Sequence, residues 1–361
     1  MKIVLCRKPR GIALIIVMVC IFILAALAGA FAMRMKVETK LAMNANNETE
    51  LEWMGRSGFA VAATVLGQQL KGKPYDALNQ KWAGGPGDTN DLFSDLLLTD
   101  VPLNHGKFSV KIVDCERKFN INVAQNNEPM LQQALRLIGV DGSDVPTIIG
   151  SIQDWIDRDD GMHPNGAETE YYQSLNPPYV AKNGPIDDLS ELLFIKGITP
   201  EIYWGPHASE HPSVQFTSKQ ASPVGSANGL LPTGAVVQAG LVDIFTPISS
   251  GQVNVNTASA TTLQMIPGVN ESLAAEIVKM RSGPDGVDGT EDDMPLQNVG
   301  QLVNAGINNQ GVQSIASYCT VRSTTFEVTV DVETAGSKRK YTALMRRNSP
   351  TDVQILHMRW E

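Results

Sequence analysis

The side chains best suited to chemistry are carboxylates that lie close together on either side of Gly161. Calcium takes about six to eight oxygen ligands in proteins, so a short segment this rich in carboxylates suits a calcium ion. The spacing differs from that of an EF-hand loop, because counting from Asp157 the glycine falls at the fifth position rather than the sixth. A solvated acidic loop that binds no ion is an equally good interpretation of these residues alone. In chain order the acidic residues are Asp154, Asp157, Asp159, Asp160, Glu168 and Glu170.

A second candidate lies in residues 254–269, which resemble a helix-hairpin-helix element of DNA-binding proteins. In that element, amides of the hairpin hold a phosphate near the amino terminus of a helix. Here Asn270 stands where the second glycine of the hairpin is expected, and Glu271 and Glu276 follow it. The next loop, residues 285–293, is strongly acidic and is interpreted as a solvated loop. Because this surface repels phosphate, we expect a hairpin used for packing rather than for DNA binding.

Cysteines and histidines indicate little further chemistry. Four cysteines exclude a disulfide-dense scaffold. Cys115 and Cys319 lie on either side of a long central segment, so one disulfide could tie its ends together in an oxidising compartment. Two buried free thiols are the alternative. The five histidines are scattered, which predicts no zinc site, and the sequence contains no G-x-S-x-G element, Walker A loop or Rossmann fingerprint.

The amino-terminal region contains an uncharged run of 23 residues, residues 11–33. A helix of this length, at about 1.5 Å per residue, spans a hydrocarbon core of ~30 Å. Four basic residues and no acidic residue precede the run, which predicts a cytoplasmic amino terminus and a translocated body. A cleaved secretory signal is the alternative, because residues 26–30 fit an A-x-A cleavage site. An anchor is favoured because the apolar run, and a helical pattern after it, continue past these alanines.

The residues around this run resemble a prepilin peptidase site, with Lys-Pro-Arg-Gly ending at Gly11 and an apolar stretch beginning at Ile12. In type IV pilins and type II secretion pseudopilins the leader is cut after such a glycine, and the new first residue is methylated. Most members of this family carry a glutamate at the fifth mature position, where this chain has Ile16. A carboxylate inside a bilayer is costly unless it is paired, so an apolar residue suits a subunit with no neighbour above it. This departure resembles the K-type minor pseudopilins of type II secretion.

The body of the chain is predicted to be a sheet interrupted by a helical insert. Alternating apolar residues predict strands at 108–112, 119–123, 326–332 and 356–360, and 340–346 is the expected hairpin partner after a turn at 335–337. Four apolar-Gly turns at Gly139, Gly197, Gly268 and Gly306 separate helix-like segments and predict an all-helical insert that contains a long linker, residues 205–251. The predicted segments are a leader (1–11), a transmembrane part of a long helix (12–33), a periplasmic helix with the first pilin strands (34–125), the helical insert (126–317) and carboxyl-terminal pilin strands (318–361).

The predicted fold class is therefore α+β: a pilin-like fold with a long amino-terminal transmembrane helix packed on an antiparallel sheet, interrupted by a large all-helical insert. The composition agrees, since 361 residues with 43% apolar and 19% charged residues are enough for two domains. A mean hydropathy of −0.09 excludes a polytopic membrane protein. The net charge of −9 argues against broad binding to nucleic acid.

The resemblance implies a role without catalysis, in which the subunit caps or nucleates a short periplasmic fibre that helps to export proteins through the outer membrane. The implied partners are GspI-like and GspJ-like minor pseudopilins, the prepilin peptidase and the inner-membrane platform of the secretion system. The resemblance also favours calcium at the first acidic loop, with a structural role. The expected ligands are backbone carbonyls, water and the side chains of Asp157, Asp159, Glu168 and Glu170.

Two alternatives remain open at this point. A helix-hairpin-helix component of a DNA-uptake or type IV pilus system would bind DNA tightly and in a salt-sensitive manner. An anchored envelope enzyme would lose activity when clustered acidic residues are mutated without loss of metal or fold.

Overall fold

The computed structural model describes residues 12–87, 96–210, 217–218, 239–334 and 337–360. It begins with one long helix, α1, over Ile12–Gly72. The first part of α1 is exposed, and it contains an 18-residue window with a mean hydropathy of 3.0. Among the described residues α1 is the one helix long and apolar enough to cross a membrane, which fits a single-pass anchor. Gly11 and the rest of the expected leader lie outside the described residues.

The second half of α1 packs on a five-stranded antiparallel sheet whose spatial order follows the chain. Apolar residues form the inward register: Val330 lies opposite Val110 on one neighbouring strand and opposite Tyr341 on the other. The predicted strands at 108–112, 326–332, 340–346 and 356–360 are confirmed. The strands are β1 (Val101–Leu103), β2 (Gly106–Asp114), β3 (Thr325–Thr334), β4 (Ser337–Ser349) and β5 (Asp352–Trp360).

Small residues allow α1 to approach the sheet closely. Buried side chains such as Met54, Phe59 and Leu66 recur at helical spacing and face the sheet. A side chain at Gly58 would collide with Val330, and a side chain at Gly55 would press on the ring of Tyr341. Glycine therefore places the helix directly on the β-branched surface, where each fully buried large apolar side chain contributes about 1.5–3 kcal/mol.

The insert joins β2 to β3 and has its own hydrophobic core, separate from the core between α1 and the sheet. Most of its elements are short helices. The α-helices are α2 (Ile121–Ala124), α3 (Glu128–Ile138), α4 (Val145–Ile156), α5 (Thr169–Gln173), α6 (Pro200–Trp204), α7 (Leu241–Ile244), α8 (Ala260–Leu263), α9 (Glu271–Arg281) and α10 (Asn309–Ile315). The 3-10 helices are Lys81–Ala83, before β1, and Cys115–Arg117, Leu189–Phe194, Gly205–Glu210 and Val299–Ala305.

Three pairs of two-residue strands also occur in the insert, so it is mainly rather than wholly helical. They pair Phe119–Asn120 with Phe245–Thr246, Leu175–Asn176 with Thr217–Ser218, and Val253–Asn254 with Cys319–Thr320. The four apolar-Gly turns were predicted correctly as reversals, because each of these glycines has a positive φ between 82° and 95°.

Two sequence expectations in this region are wrong. The predicted strand at 119–123 ends after two residues, because the side chain of Asn120 accepts a hydrogen bond from the backbone N–H of Asn122 and starts α2. The expected disulfide is not formed, since Cys115 and Cys319 are both free thiols. Cys115 lies in the turn that follows β2, whereas Cys319 is buried in the core of the insert. Although the two cysteines flank the insert in sequence, their thiols do not form a disulfide.

The insert projects from the end of the sheet that is farther from the apolar part of α1. At the near end, Asn104 in the β1–β2 turn donates a hydrogen bond to Glu50 of α1, with an Nδ2–Oε1 distance of 2.7 Å. At the far end, where the insert joins the sheet, Arg347 donates to the backbone carbonyl of Leu66 at 3.1 Å. Since Leu66 follows Glu50 by about four helical turns, the insert lies at the distal end of the molecule.

Candidate metal centre and the junction that supports it

The acidic residues of the first loop lie where α4 ends. Pro146 occupies the first turn of α4, where a missing N–H breaks no helical hydrogen bond. The apolar side of α4, including Ile148 and Ile152, is buried in the core of the insert. The backbone becomes extended at Asp157, which ends the helix and leaves Asp154, in its last turn, completely buried.

Asp154, Asp157 and His163 form a compact group whose candidate ligand atoms all lie within 4.8 Å of one another. Asp154 Oδ1 accepts a hydrogen bond from the backbone N–H of His163 at 2.8 Å. The same oxygen lies 2.6 Å from His163 Nδ1, and Asp157 Oδ2 lies 3.5 Å from that nitrogen. The loop after α4 therefore folds back so that an imidazole faces two carboxylates.

Close backbone packing brings Glu168 toward the same place. A side chain at Gly150 would press on the carbonyl oxygen of Pro164, and one at Gly166 would collide with Asp154 Oδ2. Lys196 holds the loop from outside, because its Nζ donates to the carbonyl oxygen of Gly166 at 3.0 Å. Glu168 is consequently buried, with only 7% of its surface exposed.

Four carboxylate oxygens of Asp154, Asp157 and Glu168 are buried and accept no hydrogen bond: Asp154 Oδ2, Asp157 Oδ1 and both oxygens of Glu168. Burial, together with the negative charges of Asp154 and Asp157, raises the pKa of Glu168 to about 7. Burial, and then the negative charge of Asp159, also raises the pKa of Asp157. A buried carboxylate without a donor is costly, so this arrangement suits a bound cation.

The structure brings together only part of the predicted ligand set. Asp157 lies in the compact group and Glu168 is buried close enough to interact with its charges, whereas Asp159 and Glu170 are exposed. Asp159 Oδ1 accepts from the backbone N–H of Gly161, and Glu170 lies in the first turn of α5. The predicted set omitted Asp154 and His163. The signal for Asp154 was its position one helical turn before Asp157, but no periodicity indicated that His163 would fold back.

The second acidic loop, residues 285–293, differs because its aspartates accept hydrogen bonds from groups of the loop itself or of α9. Asp288 pairs with Arg281, with side-chain N–O distances of 2.7 and 3.0 Å. Asp292 accepts from the backbone N–H of Asp285 at 3.1 Å, and Asp293 accepts from that of Gly289 at 2.8 Å. The aspartates of this loop are thus engaged in holding the turn together.

A buried polar cluster, which we call the junction cluster, joins the insert to the sheet. It comprises Asp76, Asp114, Glu116, Asn254, Thr257, Ser323 and Arg347, all buried. Arg347 pairs with Asp76 and also donates to the carbonyl oxygen of Ser323. Asp114 accepts from Thr257 at 2.6 Å and from Ser323 at 2.7 Å, so a residue of the insert and a residue before β3 share one carboxylate. Glu116 accepts from the backbone N–H of Thr325 at 3.1 Å.

The hairpin element adopts the expected helix-turn-helix geometry. Gly268 has a φ of +82°, and Val269 is buried. The side chain of Asn270 accepts a hydrogen bond from the backbone N–H of Leu273 at 2.9 Å and so caps α9. Because Asn270 satisfies this donor, and Glu271 follows in the first turn, the amino terminus of α9 offers little to a phosphate.

Two protein-family models match segments of the insert. Residues 117–204 match the family model for type II secretion system (T2SS), protein K, and residues 249–292 match that for the helix-hairpin-helix motif. The type II secretion system protein K of Aeromonas hydrophila is 24% identical over 216 residues, which cover 55% of this chain and 62% of that protein. The corresponding protein of Klebsiella pneumoniae is 24% identical over 209 residues, which cover 55% of this chain and 60% of that protein. The chain thus covers less than two thirds of these relatives.

A solved structure shares the fold. One chain of the crystal structure of the GspK-GspI-GspJ complex from the enterotoxigenic Escherichia coli type 2 secretion system matches with a TM-score of 0.62 at 18% identity. The match covers 89% of this chain and 99% of that chain. This match confirms the predicted fold class. The family model and the relatives confirm the predicted resemblance to protein K of type II secretion.

Proposed function

From the premise that this chain is related to protein K of the type II secretion system, we propose that it is a minor pseudopilin. In this role it caps or nucleates the periplasmic pseudopilus and thereby supports the export of proteins through the outer membrane. The observation that carries the proposal is the position of the insert at the end of the sheet opposite the apolar part of α1. A large domain at that end obstructs the addition of another subunit above it, which suits the tip of a fibre.

The apolar part of α1 supports this position. Ile16 lies within the uncharged stretch, one turn after Ile12. A tip subunit has no neighbour above it whose charge could pair with a carboxylate at this depth, so an apolar side chain avoids that cost. The proposed topology is a single pass through the bacterial inner membrane with a cytoplasmic amino terminus and a periplasmic body. The proposed partners are GspI-like and GspJ-like minor pseudopilins, the prepilin peptidase and the inner-membrane platform, and the proposed role involves no catalysis.

We also propose that the first acidic loop binds a structural calcium ion. The buried oxygens without donors fit this ion, because calcium prefers carboxylate oxygens and neutralises like charges that repel one another. Asp154, Asp157 and Glu168 would hold it from the buried side. Asp159 and Glu170, which the sequence also predicted as ligands, lie on the exposed side of the loop.

The processing step gives the sharpest test of the overall proposal. Mass spectrometry of the full chain, produced with and without the prepilin peptidase, should show a product that begins at a methylated Ile12 only when the peptidase is present. The Gly11→Leu variant should remain uncut, whereas the control Ala30→Leu should be processed normally. A product that begins after Ala28 or Ala30 would contradict the proposal and indicate a secretory signal.

A second test addresses the tip position. Ile16→Glu should lower protein export by a secretion system that carries it as its only copy of this subunit, because the new carboxylate lies in the bilayer without a partner. The control Ile16→Leu keeps an apolar side chain and should export normally. Normal export and normal numbers of pseudopili with Ile16→Glu would contradict the tip assignment.

DNA binding is the second candidate, because the helix-hairpin-helix model matches residues 249–292. The charge of the insert opposes it, since residues 115–324 contain 23 acidic and 10 basic residues. We expect no salt-sensitive shift of duplex DNA by the full chain in detergent. A tight shift that disappears in Gly268→Ala would favour the DNA-uptake role instead.

A further inference from the structure

His163 is the one candidate nitrogen ligand in the compact group of the first acidic loop. Both its backbone and its side chain contact a carboxylate of that group. Its backbone N–H donates to Asp154 Oδ1 at 2.8 Å, and its ring Nδ1 lies 2.6 Å from the same oxygen. The ring also approaches Asp157 Oδ2, at 3.5 Å. One edge of the imidazole therefore faces both carboxylates, while 41% of the side chain remains exposed to solvent.

The distances within this group suit one small cation. The candidate ligand atoms of His163, Asp154 and Asp157 lie within 4.8 Å of one another. Zinc binds imidazole nitrogen and carboxylate oxygen at about 2.0–2.2 Å, so two of its ligands are separated by at most about 4.4 Å. The distances from His163 Nδ1 to Asp154 Oδ1 and to Asp157 Oδ2, 2.6 and 3.5 Å, lie below that limit. Asp154 Oδ2 and both oxygens of Glu168, whose charge interacts with those of Asp154 and Asp157, are buried without donors.

The chemistry of the nitrogen distinguishes between classes of metal ion. Calcium and magnesium prefer oxygen ligands, whereas imidazole suits zinc and the other late first-row divalent ions. We propose that this pocket binds a first-row transition-metal ion such as Zn²⁺, with His163 as its nitrogen ligand and with Asp154 and Asp157 as carboxylate ligands. This inference rests on the proposed cation site, but it assigns that site a second class of ion. It also replaces the sequence expectation that the scattered histidines form no zinc site.

Coordination exchanges one interaction of His163 for another. An imidazole binds a metal through an unprotonated nitrogen, so coordination through Nδ1 releases any proton held there and removes the hydrogen bond to Asp154 Oδ1. Asp154 keeps its bond from the backbone N–H of His163, which holds the loop in place during the exchange. In the proposed complex the ring of His163 therefore becomes a metal ligand together with the two carboxylates, and the backbone of the loop keeps its conformation.

Isothermal titration of the full chain in detergent tests the proposal with Zn²⁺ and Ca²⁺ as separate probes. His163→Asn should lower the affinity for Zn²⁺ by about tenfold or more and change the affinity for Ca²⁺ by less than about threefold. The matched control is His207→Asn, because His207 is exposed and its Nδ1 lies 3.3 Å from a carboxylate oxygen of Glu210. It should leave both affinities unchanged. X-ray absorption at the zinc edge should show nitrogen and oxygen ligands that include one imidazole.

Three results would contradict the proposed role of His163. The proposal is overturned if the zinc spectrum lacks imidazole, or if His163→Asn binds Zn²⁺ as tightly as the parent chain. Equal losses for both ions also overturn it, because His163 would then only orient Asp154. If Ca²⁺ fails to bind while Zn²⁺ binds through His163, the calcium proposal fails and this inference stands. Circular dichroism of each variant, together with the conservative change Asp154→Asn, separates loss of ligands from loss of fold.

Discussion

Two clusters of buried carboxylates in this molecule have opposite hydrogen-bonding states. In the junction cluster, Asp114 and Glu116 accept hydrogen bonds from hydroxyl and backbone donors, and Asp76 pairs with Arg347. In the first acidic loop, Glu168 is also buried, but neither of its oxygens accepts a hydrogen bond. Burial alone thus does not distinguish a structural carboxylate from a ligand. The supply of donors separates the two clusters, and the cluster without donors suits a bound cation.

The largest expected effect comes from breaking the complete cluster. Arg347→Met leaves Asp76 buried without its cationic partner and removes the donor to the carbonyl oxygen of Leu66. Loss of one partner from a buried ion pair typically costs about 3–5 kcal/mol, so the free energy of unfolding should fall by that amount. Urea unfolding of the full chain in detergent measures this difference.

The neighbouring Arg346 provides the control, because it lies on the same strand but is exposed. Arg346→Met should change the free energy of unfolding by less than about 0.5 kcal/mol. If both variants lost the same stability, the junction cluster would have no special role in joining the insert to the sheet.

The next effect concerns the incomplete cluster. Saturation with calcium at about 100 times its dissociation constant should stabilise the chain by about 2.7 kcal/mol relative to the chelated form. Glu168→Gln should remove most of this stabilisation, yet it should stabilise the chelated form, because it removes a like charge beside Asp154 and Asp157. The melting temperature of the chelated variant should therefore exceed that of the chelated parent.

Glu170→Gln is the matched control for this measurement, since Glu170 is exposed at the start of α5. It should retain nearly all of the calcium stabilisation. Full retention of the calcium stabilisation by Glu168→Gln instead would show that the ion is held by the exposed residues that the sequence predicted.

The two clusters also differ in how far the sequence could reveal them. The acidic loop was visible because its carboxylates are close in the chain, and two of its predicted ligands, Asp157 and Glu168, do face the group. The junction cluster was not predicted, because Asp76, Asp114 and Arg347 are far apart in sequence and meet only when the sheet forms. Periodicity located the strands and the long helix for the same reason that it missed these contacts: it reports one element at a time.

The junction cluster should make stability depend on pH through Asp114. Burial, and then the negative charge of Glu116, raises the pKa of Asp114 to about 8. Asp76 lies on the segment after α1 and Arg347 on β4, so the pair that faces Asp114 is already neutral overall. Because the folded pKa exceeds the unfolded value of about 3.9, the stability that Asp114 contributes is greatest below the unfolded value and decreases as pH rises through about 8.

The expected slope is a loss of up to about 1.4 kcal/mol per pH unit between these values. Asp114→Asn should reduce this slope, measured by urea unfolding with calcium present at each pH. An unchanged slope would mean that the hydroxyl donors of Thr257 and Ser323 keep Asp114 ionised in the folded state, against the effect of burial.

The smallest expected effect belongs to the second acidic loop, which repeats the logic of the junction cluster at the surface. Asp292 accepts from the hydroxyl of Thr290 at 2.8 Å and from the backbone N–H of Asp285, and these bonds lower its pKa. Asp292→Asn should slightly lower the midpoint of urea unfolding, because the new amide is a weaker acceptor in the turn. It should leave the calcium stabilisation unchanged, since this carboxylate already has its donors. A loss of calcium stabilisation equal to that of Glu168→Gln would mean that the supply of donors does not separate structural carboxylates from ligands in this chain.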